Sequence, residues 1–362
     1  MDRPRIPSKV GGVVAVLLLL LGCKDGSAPS MFRDATSSAG LDFVHSVDPT
    51  GKFPLPEVLG AGCAVFDANG DGRLDLYFTN SGRFGGEGAA NALFLRGEDG
   101  KYRDATDGSG LGDRGFGMGV AVGDIDNDGD LDVYVGNYGG DALYRNEGGG
   151  KFTNITEAAG IANDKWTSSI AFLDYDADGL LDIFVVNYLV FDANRRCENP
   201  KSGRDYCGPQ MFKGEADVLY RNKGQGVFED VSEKLGISSI ASNGLGLVVE
   251  DFNDDGWADV FVANDAEANH LWMNTQKGGF REEALSLGVA VNGFGVTEAS
   301  MGVAAGDIDG DGDCDLFMTH LMNERNTLYV RTEYGFEDGS RASGLAAPSF
   351  PFTGFGRVIF DD

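Results

Sequence analysis

Asp67, Asn69 and Asp71 alternate along a nine-residue stretch, DANGDGRLD, which Asp75 closes and in which Gly72 holds the sixth position. The arrangement returns four times. Asp124, Asp126, Asp128 and Asp132 surround Gly129; Asp174, Asp176, Asp178 and Asp182 surround Gly179; Asp251, Asn253, Asp255 and Asp259 surround Gly256; Asp307, Asp309, Asp311 and Asp315 surround Gly312. Side chains at positions 1, 3 and 5 converge on one ion if the backbone coils around it, and a glycine at position 6 permits the sharp turn. Position 7 varies freely (Arg73, Asp130, Leu180, Trp257, Asp313), as suits a residue that offers only its carbonyl, and the acid at position 9 closes the shell. With oxygen donors alone and formal ligand charges of −3, −4, −4, −3 and −4, the loops call for a hard cation, and flexible five-point ligation plus water favours Ca²⁺ over octahedral Mg²⁺. About five calcium sites are therefore expected. An EF-hand is excluded: it needs Glu at position 12 between helices, whereas Phe78, Val135, Val185, Val262 and Met318 stand there in apolar runs.

Those runs (LYF, VYV, IFV, VFV, LFM) are apolar at every position, as in a strand covered on both faces. A second strand follows in NALFL, DALYR, DVLYR, NHLWM and NTLYV. A third follows a glycine turn and pairs an aromatic with a polar residue two positions on, from Tyr102 and Asp104 to Phe336 and Asp338. A glycine-rich run leads into each loop, which makes four short strands per unit. Loop starts lie 57, 50, 77 and 56 residues apart. Four-stranded units at that period predict an all-β fold, a β-propeller whose blades bury their faces against one another. Residues 31–41 read as the outer strand of a further blade, and Phe360 and Asp361 match Phe66 and Asp67, so a sixth repeat breaks off at 361–362.

The 362 residues carry 57 acidic against 29 basic side chains and 55 glycines. This balance disfavours nucleic acid and anionic membrane surfaces, which need clustered Lys and Arg, and favours cations as partners. Residues 1–22 read as a lipoprotein signal peptide: Arg3, Arg5 and Lys9, then an apolar run too short to span a membrane, ending in LLGC. Cys23 is then the lipidated first residue and 23–30 a polar tether, which places the mature chain across the inner membrane, lipid-anchored, on the outer membrane facing periplasm or surface. In such an oxidising compartment Cys197 and Cys207, flanking a polar loop, are expected to form a disulfide, and Cys63 and Cys314 to be buried thiols.

Residues 31–362, through the five D-x-[DN]-x-[DN]-G-x-x-D loops, the L[YFW] strands, the F-x-D strands ending in AG[LI] and DYCGPQMFKGEADVLYRN, resemble the FG-GAP (VCBS) repeats of integrin α-subunit propellers, and among them the bacterial relatives of cartilage acidic protein. That resemblance implies calcium at the named Asp and Asn positions and a seven-bladed propeller followed by an ASPIC/UnbV-type module. Neither the last blades nor that module is in the sequence, which reads as truncated.

Function is expected to be non-enzymatic: extracellular binding, as in cell adhesion, of a protein or glycan, with calcium as stiffener and the membrane met only through the lipid. The candidate surface is the insertion between Asn187 and Gly214, where Arg195, Arg196, Lys201, Arg204 and Lys213 gather on an otherwise acidic chain. A propeller hydrolase or lyase with a central-channel active site is the alternative. It lacks support in motifs, since His45, His270 and His320 fall in none and the GRFGGEG stretch at 82–88 reads as an exposed loop.

Overall fold

The computed structural model describes residues 32–86, 88–201, 203–356 and 359. The signal peptide, Cys23, the tether and residues 361–362 lie outside the described residues. Among the described residues, five four-stranded antiparallel sheets follow one another, each with its strands in sequence order from the axis outward. Their innermost strands are Cys63–Phe66, Phe116–Gly123, Thr167–Leu173, Gly244–Glu250 and Gly302–Gly306. The second strands, Asp75–Phe78, Asp132–Tyr138, Asp182–Asn187, Asp259–Asn264 and Asp315–Thr319, each begin on the acid at loop position 9. The acidic loops thus occupy the turn between first and second strands of every blade, all at one end of the molecule.

Why the innermost strands are rich in glycine follows from their spacing. A Cβ on Gly62 would lie 2.8 Å from the Met118 carbonyl of the next blade, and one on Gly246 would lie 2.6 Å from that of Met301. Larger residues would force the strands apart around the axis. Outward from there, second-strand side chains are covered on both sides: Val133, Tyr134 and Val135, Ile183, Phe184 and Val185, and Val260, Phe261 and Val262 are fully buried. Alternate residues face alternate neighbours. Val133 and Val135 pack on Tyr77 and Leu93 of the first blade, Tyr134 on Ile183 and Val185 of the third. This satisfies the expectation that the runs are sandwiched.

The first blade differs for the same reason. Ala64 and Phe66 of its innermost strand face the second blade, whereas Cys63 and Val65 alternate onto a face that no described blade covers. Cys63 is therefore exposed, and Cys314 only half-buried, contrary to the expectation of two buried thiols. Residues 32–41 also depart from expectation, since they form no strand. The Ala39 amide donates to the Ala35 carbonyl at 2.7 Å, closing a helical turn like that of Thr156–Ala159 after the second blade's outermost strand. Gly40 then takes φ 81°, as Gly160 takes 78°. The Tyr102 amide donates to the Ala39 carbonyl at 2.7 Å, just as that of Phe152 donates to Ser109. The AG[LI] segments are thus turns that dock on the outermost strand of the following blade. At the other end, the Gly354 amide donates to the His320 carbonyl (3.3 Å), as that of Gly117 does to Asn80 (2.8 Å), so the 354–356 segment begins along the fifth blade as an innermost strand does.

Candidate metal centres and the stapled insertion

In each loop the position-1 carboxylate accepts amides from across the turn, and these fold the loop before any ion is considered. Asp124 takes the amides of Asp128 (3.1 Å) and Gly129 (2.9 Å); Asp251 takes those of Asp255 (3.0 Å) and Gly256 (2.6 Å). Each position-7 residue is held through its amide by the position-5 carboxylate, at 3.0 Å for Arg73, 2.9 Å for Asp130 and 3.1 Å for Leu180. Trp257 and Asp313 are held likewise, at 3.0 and 2.9 Å. The position-9 acid does more than close the shell. One oxygen of Asp182 accepts the amide of Tyr175 (3.1 Å), the other that of Asn222 at the end of the third strand (2.7 Å). Asp75, Asp132, Asp259 and Asp315 repeat this clasp, with Arg96, Asn146, Asn274 and Arg331 as the distal donors.

Carboxylate oxygens of Asp124, Asp126 and Asp132 lie within 4.8 Å of one another, as do those of Asp174, Asp176 and Asp182, and of Asp307, Asp309 and Asp311. Among the described residues the first and fourth loops form no such trio, because an amide, Asn69 or Asn253, stands at position 3. Burial pushes Asp132, Asp182 and Asp259 up to about 7 against the pull of their amide donors, and neighbouring carboxylates add to the rise. Asp126 and Asp176 are raised as well, again by burial first. Their Oδ1 atoms are buried with no hydrogen-bond partner. A buried carboxylate oxygen without a donor, beside two more carboxylates, is unfavourable alone and matches what a divalent cation neutralises. The residues present therefore fit a metal ion. Arg221 shares the third cluster, with its guanidinium 2.6 Å from Asp176 and 3.2 Å from Asp178, and in the first loop Arg73 pairs with Asp71.

Sequence reasoning missed the residues that join one loop to the next. Asn222 Nδ2 donates to the Leu181 carbonyl of its own loop (2.9 Å) and to the Ile125 carbonyl of the preceding one (2.8 Å). Asn146 bridges Leu131 and Ala68 in the same way, and Asn274 bridges Ala258 and Tyr175. Their signal was the asparagine ending LYRN, LYRN and LWMN. It has no meaning until adjacent blades are in place.

At the opposite end, after the third blade's second strand, the insertion is more structured than a polar loop. Leu189–Val190 pairs with Lys213–Ala216, which pairs in turn with Ala241–Ser242; Cys197–Asn199 and Gly203–Asp205 form a hairpin. Cys197 and Cys207 are disulfide-bonded, their Cα atoms 5.2 Å apart, as the sequence predicts. A cavity of about 330 Å³ opens between this insertion, residues 50–55 and Phe84, with Phe53, Phe191, Phe212, Arg195 and Arg196 in its wall. Phe84, expected in an ordinary exposed loop, is half-buried and meets Phe191 edge to face at 5.6 Å.

A second cavity of about 330 Å³ lies on the axis, lined by residues 59–62 leading into the first blade, by residues in and beside the innermost strands of the other four, and by Phe355 and Gly356. Its walls are glycine, serine and apolar residues with Trp166, and no acid, base or cysteine is among them. The histidines are scattered. His45 Nε2 lies 3.1 Å from Ser81 Oγ, His270 Nε2 3.3 Å from Ser242 Oγ, and His320 Nε2 3.1 Å from Thr327 Oγ1.

Radial four-stranded blades with an acidic, glycine-hinged loop at the same corner of each define a propeller of acidic-loop repeats. The model of the FG-GAP-like repeat matches residues 67–135, 124–185, 211–262 and 251–318, more than half of the chain, which therefore belongs to that family. Each match ends three residues past the closing acid of an acidic loop, on the position-12 residues Val135, Val185, Val262 and Met318. Cartilage acidic protein 1 of Xenopus tropicalis is 27% identical over 108 residues, 29% of this chain and 16% of that protein. Its Homo sapiens counterpart is 24% identical over 146 residues, 35% of this chain and 21% of that one. The match thus spans about a fifth of these relatives' length. Among solved structures, the Vibrio cholerae biofilm matrix protein Bap1 aligns with TM-score 0.42 and 15% identity, over 77% of this chain and 38% of that one.

Proposed function

We propose that the chain is a calcium-stiffened extracytoplasmic module that recognises a protein or glycan through the face carrying the stapled insertion. The observation that carries this reading is the separation of the two ends. One end is committed to acidic loops whose carboxylates hold backbone amides and, in three of the loops, cluster closely enough to take a cation. The other presents a disulfide-braced cavity with cationic side chains, on a chain of net charge −28. Calcium at all five loops, with Asn69 and Asn253 as amide ligands, supplies charge neutralisation and holds each loop's shape. Anchoring through Cys23 to an outer membrane belongs to the same proposal. It agrees with the disulfide, which suits an oxidising compartment.

An active site in the axial cavity draws little support from its described walls, where the hydroxyls of Ser168 and Ser169 donate to backbone carbonyls and no His, Lys, Asp or Glu lies among the lining residues to activate them. The test is to probe the full chain, in millimolar calcium, on glycan and peptide arrays, alongside a variant in which residues 191–211 are replaced by a short Gly-Ser linker. Signals that vanish with the insertion support the reading. Signals unchanged by the replacement overturn it, and turnover of a bound glycan or peptide would move the protein into the enzyme class.

A further inference from the structure

The cavity beside the insertion has a composition that narrows what it takes, given the reading above that this face binds a ligand. Its apolar wall comes from the rings of Phe53, Phe84 and Phe191, brought together from three separate parts of the chain. Its charge comes from Arg195, Arg196 and Lys52, all three exposed, and the side-chain amide of Asn194 stands in the same wall. Across residues 187–214 five basic residues outnumber three acidic ones, a local reversal of the sign of the whole chain. An anion is drawn to such a spot and repelled from the rest of the surface.

The wall is also preorganised. Phe191 is locked against Trp166 at 6.0 Å and Phe212 at 5.3 Å. Phe53 is held at φ 59°, a region that bulky residues avoid, and its ring meets Tyr206 of the insertion edge to face at 5.2 Å. The Arg204 guanidinium donates to the Lys52 carbonyl at 2.9 Å, tying the hairpin to the opposite rim. Arg196 Nη1 is spent on the carbonyls of Ala193 (2.7 Å) and Arg195 (2.9 Å), which fixes the turn and leaves Arg195 as the better-placed partner for a ligand. Rings already in position bury ligand surface without paying ordering entropy.

We propose that this cavity binds a carboxylate-bearing pyranose, that is, a uronic acid. Flat apolar rings match the C–H face of a sugar, a guanidinium matches a carboxylate through paired N–H donors, and the amide of Asn194 matches hydroxyls. A volume of about 330 Å³ is at the small end of ligand sites and suits one or two sugar rings rather than a length of peptide. The acid arrives either as a free uronate or as a residue of an acidic polysaccharide.

Titration calorimetry of the full chain in millimolar calcium tests this with four probes: D-glucuronate, trigalacturonate, D-glucose and an acidic peptide ending in Phe. Either uronate binding at least tenfold tighter than glucose, with that margin lost in Arg195→Ala and kept in Lys213→Ala, supports the proposal. A trimer tighter than the monomer assigns the site to a polymer, and equal affinities to the free acid. Glucose binding as well as glucuronate overturns the proposal, as does peptide binding without uronate binding. The latter, if lost in Arg195→Ala, leaves the binding-module reading standing with another ligand class. Failure of all four probes together with array signals indifferent to the insertion removes both.

Discussion

Removing divalent ions should soften the whole molecule, because the loops at one end of every blade hold carboxylates that are costly without a counter-charge. The most exacting case is the three carboxylate trios, of which two contain a buried oxygen with no donor. Extracellular calcium modules bind at about 10⁻⁴ to 10⁻³ M. At a calcium concentration about ten times Kd, each independent site adds about 1.4 kcal/mol, so three add about 4 kcal/mol. With an unfolding entropy of about 2 cal/mol/K per residue, a chain of this length has about 0.7 kcal/mol/K at its midpoint, which converts 4 kcal/mol into about 6 °C. Occupied first and fourth loops would raise the figure towards about 10 °C by the same arithmetic. Differential scanning calorimetry in excess EDTA, in calcium and in magnesium at matched ionic strength reads this directly. An unchanged Tm across calcium and EDTA refutes the argument that these carboxylates are held for a cation. Equal shifts in calcium and magnesium refute the choice of ion.

Two further outcomes follow from neighbouring contacts. Asn222→Ala removes both donors of the bridge between the second and third loops and leaves two carbonyls unpaired, which should cost about 2–3 kcal/mol in urea unfolding, while Lys223→Ala beside it costs almost nothing. A loss below about 0.5 kcal/mol would show that the blades do not rely on this bridge. Asp217, a buried carboxylate, is raised by burial from 3.8 to about 7, with the Asn187 amide hydrogen bond (3.0 Å) pulling the other way. Its folded state binds a proton more tightly than the unfolded chain, so its penalty is full above pH 7 and fades as pH falls towards 4. Asn91 and Asn269 accept the matching amides in the first and fourth blades, at 2.7 and 3.0 Å, so Asp217→Asn keeps the bond. In calcium, it should be more stable than the parent by on the order of 2 kcal/mol at pH 8, with the gap closing by pH 4; parallel pH profiles would contradict this.

What the sequence determined by itself is local and repeated. Alternating acids around Gly72 and its four counterparts set the loop, since position-1 carboxylates and a left-handed glycine fold it within nine residues. Apolar runs after each loop fixed the second strands, and the period of the units fixed the propeller. Cys197 and Cys207 were legible because ten positions of chain bring them within reach. What only the tertiary structure decided depends on contacts between units. Whether Cys63 is buried turns on which blade covers its face, and whether Asn222 matters turns on the Ile125 carbonyl 97 residues away. Phe53, Phe84 and Phe191 look unrelated along the chain and become one wall when the blades close ranks. A repeat encodes its own hydrogen bonds and periodicity, but the surfaces that bind or bury are built from residues whose distance in sequence carries no information about their distance in space.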